Sequence, residues 1–184
     1  ISTRNFHTEP RQVLQASLIG PSGDAQPLPF ALNDLVIHKS GVARLIRLRV
    51  LVDGLEVGPY SADGLIVATP TGSTAYSLSA GGPIIMPGVQ ALVLTPICAH
   101  TLAVRPVVIP GSSVVSIEPL EPGRGNLLVS IDGQKATSLM AKQRVEIRRG
   151  DSSVLLVRLQ PADYFRRMRE TLQWGDLSDR EKFR

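Results

Sequence analysis

The sequence is poor in cysteine, in aromatic residues and in long apolar segments. Cys98 is the only cysteine among 184 residues, so no disulfide can form within the chain, which is typical of a cytoplasmic protein. Aromatic residues make up only 4% of the chain, which is too few for a platform that stacks nucleic-acid bases. No apolar segment approaches the roughly 20 residues that a membrane-spanning helix needs. These shortages argue against a disulfide-stabilised secreted domain, a nucleic-acid-binding protein and an integral membrane protein.

Charged and metal-ligating residues are scattered rather than clustered. The formal net charge is +4, but Arg44, Arg47 and Arg49 lie along a predicted strand and do not form a basic patch with aromatic residues. A modest positive field suits instead a phosphorylated substrate and an anionic phosphate donor. Three histidines and one cysteine, widely spaced, predict no metal site. An apolar content of 43% is ordinary for a folded domain with a hydrophobic core.

Short apolar segments, separated by glycine and proline, predict a mainly β protein. Residues 44–52 alternate between apolar and basic side chains, and Asp53-Gly54 after them predicts a hairpin turn. The uniformly apolar residues 65–68 predict a central strand. This spacing favours a two-layer β-sandwich over an alternating β-α-β sheet. The remaining predicted strands are 13–19, 35–38, 91–95, 107–109, 114–118, 127–131, 144–148 and 154–159, with a second hairpin turn at Asp132-Gly133.

The segment from Asp63 to Pro83 joins an apolar strand to a hydroxyl-rich turn. Pro70 is expected to end the strand, and Thr71, Ser73 and Thr74 are placed to cap a short helix that starts near Thr74. One interpretation is a strand–turn–helix junction whose hydroxyls only cap a helix. The density of hydroxyls favours the other interpretation, a loop that binds a polar ligand such as a nucleotide.

Two further residues of this loop suit a nucleotide. Gly72 permits a positive φ and the close approach of a ligand, and Tyr76 offers a flat face to a base. The loop is not a Walker-type phosphate cradle, because no Gly-Lys-Ser/Thr follows. Residues outside the loop are more ambiguous. Cys98 is expected to be a small core residue, His100 to be structural, and Arg105 either to bind phosphate or to pair with a backbone carbonyl.

The string Thr69-Pro-Thr-Gly-Ser-Thr-Ala-Tyr76, flanked by Asp63-Gly64 and by Ser79-Ala-Gly-Gly-Pro83, resembles the signature of NAD kinases. Asp34 stands in a segment that resembles the family's Asn-Glu motif, where Glu is more usual. The resemblance implies the C-terminal domain of that family, a two-layer β-sandwich with a short loop helix and a C-terminal helix. The other segments that resemble the family are 31–38, 94–100, 105–108, 129–133 and 165–175.

The resemblance assigns the two ends of a bound dinucleotide to different residues. It implies that Asn33 and Asp34 contact the adenosine part. It also implies that Asp63 and Thr71 contact the nicotinamide end. The aspartate at position 34 is one methylene shorter than the usual glutamate, which reduces the reach of that contact but not its charge.

The resemblance also implies which residues line the nucleotide groove. Thr74, Ala75 and Tyr76 would form its wall, with Tyr76 near the base, and Ser79 would lie at its edge. Asp132 would lie near the reacting ribose, although an Asp-Gly pair at a hairpin is otherwise just a turn.

The activity that the resemblance implies is transfer of a phosphoryl group from ATP, or from polyphosphate in some members, to the adenosine 2′-hydroxyl of NAD. The donor would carry a divalent metal ion, Mg²⁺. Family members place the catalytic base in a Gly-Gly-Asp-Gly motif of an N-terminal α/β domain. This chain lacks that motif and begins at Ile1 without Met. We therefore expect the C-terminal, substrate-binding domain, with no catalytic residue of its own and no activity when isolated.

The tail is expected to be a separate helical element. Residues 1–161 would form the NAD-binding sandwich, and residues 162–184 would form a helical tail. Tyr164, Phe165, Met168 and Leu172 are spaced for one helical face. The resemblance implies that this face covers the N-terminal domain or a neighbouring subunit of a homo-oligomer, a dimer or a tetramer. Without that partner, the helix should expose an apolar stripe.

Two other functions remain as alternatives. The first is a lipid or diacylglycerol kinase-like C-terminal domain, which shares the two-domain plan. The Thr-Pro-Thr-Gly-Ser-Thr-Ala-Tyr string and the lack of an apolar groove signature argue against it. The second is a non-catalytic NAD(P)-binding module, for which the isolated chain would suffice.

Overall fold

The structure is a computed structural model that describes residues 6–39, 45–101, 103–120, 127–134, 136–159 and 164–173. The chain divides into two compact units, one of residues 10–154 and one of residues 1–9 with 155–184. The predicted domain boundary after residue 161 lies outside the described residues. The strands are β1 His7–Ile19, β2 Ala25–Pro27, β3 Asp34–Lys39, β4 Ile46–Val52, β5 Leu55–Ala62, β6 Gly64–Ala68, β7 Ala91–Ile97, β8 Val107–Pro110, β9 Val115–Pro119, β10 Leu127–Ile131, β11 Ala136–Leu139 and β12 Arg144–Arg158.

The strands of the larger unit form two six-stranded sheets. Their orders are β2-β1-β12-β9-β4-β5 and β11-β10-β3-β6-β7-β8. Leu48, Val50 and Ile117 of the first sheet share one buried cluster with Leu35 and Leu65 of the second. Because burial of each such side chain stabilises the fold by about 1.5–3 kcal/mol, this shared core holds the two sheets face to face. The predicted two-layer, mainly β fold is confirmed.

Both predicted Asp-Gly hairpins are confirmed by the backbone. Asp53 and Gly54 have φ values of 51° and 80°, and Asp132 and Gly133 have 48° and 67°. Two successive positive φ values match the twist of antiparallel strands in a two-residue hairpin. The second hairpin joins β10 to β11, a strand that was not predicted from the sequence.

One strand prediction is wrong. Residues 144–148 and 154–159 were expected to be separate strands, but β12 runs without interruption from Arg144 to Arg158. Gly150 lies within this strand, where it packs closely against β1. A Cβ atom at Gly150 would lie 2.7 Å from Cγ2 of Val13 on β1, so a larger residue there would have to displace the Val13 side chain.

β6 is central, as predicted, and is covered on both faces. All five of its residues are buried. Leu65 and Val67 face the core between the sheets. Ile66 and Ala68 belong to a second cluster with Ile85, on the outer face of the second sheet. The hydroxyl-rich loop therefore packs on that outer face rather than extending into solvent.

Helices are short and few among the described residues. A 3-10 turn spans Gly72–Thr74, α1 spans Tyr76–Ser79, and the predicted tail helix is present as α2, Tyr164–Leu172. None of the described helices is long and apolar enough to cross a membrane. No residue of α2 is fully buried: of the predicted apolar face, Phe165 and Leu172 are exposed and Tyr164 and Met168 are half-buried. Trp174 and Gly175 lie outside the described residues.

Candidate functional site

A groove of about 610 Å³ lies on the outer face of the second sheet, beside α1. Cavities of this size hold small molecules and cofactors. Strand register sets its long axis. Asp34 and His38 are four residues apart on β3, roughly 13 Å at the rise of a strand. Asp34 therefore marks one end, and His38, which pairs with Gly64 next to Asp63, marks the other.

Five of the predicted substrate residues line this groove together with Asp132: Asn33, Asp34, Asp63, Ala75 and Tyr76. Three others do not line it. Thr71 is half-buried, Thr74 is exposed and donates a hydrogen bond to the Thr71 carbonyl at 3.1 Å, and Ser79 is exposed on α1. Five further lining residues were not predicted from the sequence: Val36, His38, Ile97, Ser130 and Gly133. Val36 and His38 alternate along β3 and Ser130 lies on β10, but no local pattern shows that these two strands pair.

The Asp132 carboxylate holds the backbone of residues 32–34. Its Oδ2 accepts a hydrogen bond from the Leu32 N–H at 2.8 Å. Its Oδ1 accepts from the N–H groups of Asn33 at 2.8 Å and Asp34 at 3.0 Å. The Asp132 N–H also donates to the Asp34 carbonyl at 3.0 Å. The left-handed backbone at Asp132 lets the main chain and side chain of this residue face the same segment.

Thr69 holds the same segment from the opposite side. Its Oγ1 donates to the Leu32 carbonyl at 2.7 Å and accepts from the Gly72 N–H at 3.0 Å. Its N–H donates to the Asn33 carbonyl at 2.9 Å. Two segments that carry the predicted signatures are thereby joined across the top of β3 and β6.

The prediction for Gly72 is wrong. Gly72 is not among the glycines with positive φ, and the space beside it does not admit a ligand. A Cβ atom there would lie 2.0 Å from the carbonyl oxygen of Asn33. Glycine is required because the backbone of Asn33 approaches this closely.

The predicted helix caps are also wrong. Thr71 makes no side-chain cap, the hydroxyls of Ser73 and Thr74 donate to backbone carbonyls instead of capping a helix, and α1 has four residues. The hydroxyl of Ser73 is buried, donating to the Pro70 carbonyl at 2.7 Å and accepting from the Ile85 N–H at 2.9 Å. Ser77 is bonded to Thr95 of β7 at 2.8 Å. These hydroxyls anchor the loop to the sheet, whereas Tyr76 remains 47% exposed at the groove.

Burial changes the acidity of Asp34. Desolvation raises the pKa of its carboxyl from 3.8 to about 6, and the negative charge of Asp132 adds to the increase. Only 4% of Asp34 is exposed. A carboxyl with this pKa changes charge within the pH range of ordinary assays.

Asp63 lies at the other end of the groove beside His100. The Nε2 atom of His100 is 3.4 Å from Oδ1 of Asp63. Two backbone bonds fix the pair, from the Asp63 N–H to the Ile97 carbonyl at 2.9 Å and from the His100 N–H to the Ser61 carbonyl at 3.0 Å. The turn that brings His100 back contains Cys98, at φ 47°.

The structure also tests the expectations for two residues near this end, Cys98 and Arg105. Cys98 is exposed, so the expectation of a small core residue is wrong. β7 ends at Ile97, and the chain leaves the sheet at the next residue. Arg105 is exposed, and its Nη1 donates to the neighbouring carbonyl of Val104 at 3.4 Å, which is the backbone-pairing alternative.

The described residues do not fit a divalent metal ion by themselves. No group of three or more His, Cys, Asp or Glu side chains comes together in the part of the chain that the structure describes. Asp34 and Asp132 are neighbouring carboxylates, but both oxygens of Asp132 already accept backbone hydrogen bonds. A metal ion needs several free oxygen ligands.

Comparison with known sequences gives consistent matches. Residues 32–159 match a family described as the ATP-NAD kinase C-terminal domain. The chain is 48% identical over 177 residues to an NAD kinase of Gemmatimonas aurantiaca, covering 96% of this chain and 61% of that protein. It is 46% identical over 146 residues to an NAD kinase of Koribacter versatilis, covering 79% of this chain and 50% of that protein.

Comparison with solved structures agrees. The fold is similar to that of a yeast NADH kinase complexed with NADH, with a TM-score of 0.84 at 30% identity over 92% of this chain and 51% of that one. It is also similar to an NAD kinase from Archaeoglobus fulgidus in complex with ATP, with a TM-score of 0.75 at 25% identity over 91% of this chain and 61% of that one. The chain spans between half and about three fifths of these proteins. It therefore belongs to the family of the ATP-NAD kinase C-terminal domain.

Proposed function

We propose that this chain is the substrate-binding part of an NAD kinase, which transfers a phosphoryl group from ATP or polyphosphate to the adenosine 2′-hydroxyl of NAD and gives NADP. The observation that carries this proposal is the groove. It brings Asn33 and Asp34 together at one end, Asp63 at the other and Tyr76 alongside, in a volume of about 610 Å³. The donor would bring its own divalent metal ion, Mg²⁺, because the described carboxylates do not form a metal site.

In this proposal each end of the groove binds one end of the dinucleotide. Asn33 and Asp34 contact the adenosine part, and Asp63 contacts the nicotinamide end. Tyr76, which is 47% exposed, stacks on a base, and Ala75 leaves room for it. Thr71, Thr74 and Ser79 lie outside the groove lining, so their contacts would be made at its rim.

Catalysis would be divided between two domains. Phosphoryl transfer needs a positioned acceptor, a metal-bound donor and a base at the acceptor oxygen. This chain would position the acceptor. The base would come from the Gly-Gly-Asp-Gly motif of an N-terminal α/β domain, since Asp132 is committed to backbone hydrogen bonds. The isolated chain is therefore expected to bind NAD without turning it over.

The same proposal covers the assembly. The exposed apolar residues of α2 support a surface that docks on the N-terminal domain or on a neighbouring subunit. A homo-oligomer, a dimer or a tetramer, in the cytoplasm is the state in which such an enzyme would work.

Calorimetric titration with NAD and with ATP tests the function. In the whole protein, Tyr76→Ala should weaken NAD binding more than ATP binding. Leu55→Ala removes a 76% exposed apolar side chain outside the groove and should change neither affinity. Equal losses for the two nucleotides would contradict the role of Tyr76.

A kinase assay tests the division of labour. The 184-residue chain should give no NADP, whereas the whole protein should give NADP from ATP or polyphosphate. Turnover by the bare chain would contradict the proposed division. Binding without turnover by the whole protein would identify a non-catalytic NAD(P)-binding module instead, and a preference for a lipid acceptor would identify a lipid kinase relative.

A further inference from the structure

The backbone of Leu32, Asn33 and Asp34 is held by hydrogen bonds at every polar group. All three N–H groups donate to the Asp132 carboxylate. The carbonyls of Leu32 and Asn33 accept from the side chain and the main chain of Thr69. The carbonyl of Asp34 accepts from the Asp132 N–H. Each of these bonds comes from a distant part of the chain, so the segment is fixed from both sides by residues far away in sequence.

These bonds also limit what Asp132 can do. An ionised carboxylate has about four lone-pair sites, and three of them already accept backbone N–H groups. A ribose hydroxyl at Asp132 would compete with bonds that fix the residues proposed to bind the adenosine part. Asp132 lines the groove, but its hydrogen bonds support the backbone of residues 32–34.

We propose that Asp132 and Thr69 are positioning residues, which form a two-sided clamp on residues 32–34 and present the side chains of Asn33 and Asp34 to the dinucleotide. This inference rests on the proposed function, in which those two side chains contact the adenosine part. The clamp acts by preorganisation. Ordering a loose backbone segment on binding costs affinity, and a segment fixed beforehand avoids that cost.

The clamp also places the carboxyl of Asp132 close to that of Asp34, which gives a second readout beside binding and exchange. The charge of Asp132 lies close enough to Asp34 to raise the pKa of its carboxyl. Removal of that charge should therefore shift the titration of Asp34 toward acid. The other titratable side chains that line the groove are His38 on β3, Asp63 ahead of β6 and Tyr76 on α1, and none of them changes in the variants below.

Asp132→Asn is the main variant, and Asp53→Asn is its matched control. Asp53 also begins an Asp-Gly turn with positive φ, and its carboxylate accepts the Val114 N–H at 2.8 Å, but it does not line the groove. Carbon-13 NMR of the Asp34 carboxyl should give a midpoint near pH 6 in the native protein. The midpoint should fall in Asp132→Asn and stay unchanged in Asp53→Asn.

Amide hydrogen exchange and NAD titration complete the test. Exchange at Asn33 and Asp34 should accelerate in Asp132→Asn, and NAD affinity should fall tenfold or more, with no such change in Asp53→Asn. Unchanged affinity and exchange in Asp132→Asn would overturn the clamp. If kcat alone fell while affinity and exchange stayed unchanged, Asp132 would be a reacting group and not a support.

Thr69 provides a second arm if Asp132→Asn does not fold. Thr69→Val removes the hydroxyl at nearly constant volume and should weaken NAD binding. Thr69→Ser keeps the hydroxyl and should retain NAD binding. Equal affinity of the two variants would overturn the inference. If the native protein binds no NAD while the exchange and titration results hold, the proposed function fails and the clamp remains.

Discussion

At the scale of single residues, the buried carboxyl of Asp34 is expected to lower the stability of the fold at neutral pH and to contribute to NAD binding. Its pKa rises from 3.8 when unfolded to about 6 when folded, so its contribution to stability is present below pH 4 and is lost as the pH rises through 6. A two-unit shift corresponds to roughly 3 kcal/mol. Asp34→Asn should therefore raise the free energy of unfolding at pH 8 by about 1–3 kcal/mol and by less at pH 4, while NAD binding falls.

Urea denaturation at pH 4, 6 and 8 measures this effect. Asp53→Asn is a control of opposite sign. The Val114 N–H, and then Ser113, lower the pKa of the Asp53 carboxyl, so its contribution is present at neutral pH and lost toward acid. Asp53→Asn should therefore reduce stability at pH 8. A gain from Asp34→Asn that is the same at all three pH values would contradict the argument.

Gly72 makes the closest backbone approach in the loop. Gly72→Ala places a methyl group 2.0 Å from the Asn33 carbonyl oxygen, which cannot move without breaking its bond from Thr69. Overpacking of this kind costs about 1–3 kcal/mol, and the shift of Asn33 should also weaken NAD binding. Thermal unfolding and calorimetry measure both effects. Gly88→Ala is the control, because no atom lies within 4 Å of its added Cβ, and it should be neutral.

The sequence motif located the groove residues but did not give their roles. Asn33, Asp34, Asp63 and Tyr76 were identified by resemblance, and they share one groove. The supports were not recognised, because they act across the chain. Asp132 is bonded to residues about 98–100 positions away, and no local pattern encodes a contact at that separation. The same limit explains the error at Gly72, whose neighbour is Asn33.

At the scale of elements, strands with a simple period were predictable. β4 alternates buried Ile46 and Leu48 with exposed arginines, so its period of two was visible in the sequence. β12 was not recognised as one strand, because Gly150 resembles a turn signal until its packing against β1 is known. β11 was missed because it has four residues and follows the turn directly.

Buried Ser73 is one of the hydroxyl side chains that anchor the hydroxyl-rich loop to the sheet. Ser73→Ala removes the acceptor of the buried Ile85 N–H and the donor to Pro70. An unsatisfied buried group costs about 1–3 kcal/mol, so stability should fall by that amount. Hydrogen exchange should accelerate at Ile85 before the strands exchange. The exposed Ser112→Ala is the control. No change in exchange at Ile85 would contradict the role of Ser73.

At the scale of the whole molecule, the proposed partner surface is the apolar face of α2. No residue of α2 is buried, and Phe165 is 58% exposed. Phe165→Ser should therefore leave the stability of the 184-residue chain within about 0.5 kcal/mol of the native value. In the whole protein the proposed docking buries this ring, and the same change should cost about 1.5–3 kcal/mol.

Arg167→Ser, on the same helix, is the matched control and should be neutral in both forms, because it removes an exposed charged side chain. Thermal unfolding and sedimentation measure stability and oligomeric state together. Loss of the oligomer in Phe165→Ser, with kinase activity retained by the monomer, would place the partner surface on a neighbouring subunit. Loss of activity and stability at constant oligomeric state would place it on the N-terminal domain. Equal, small effects of both substitutions in both forms would show that the helix docks on neither.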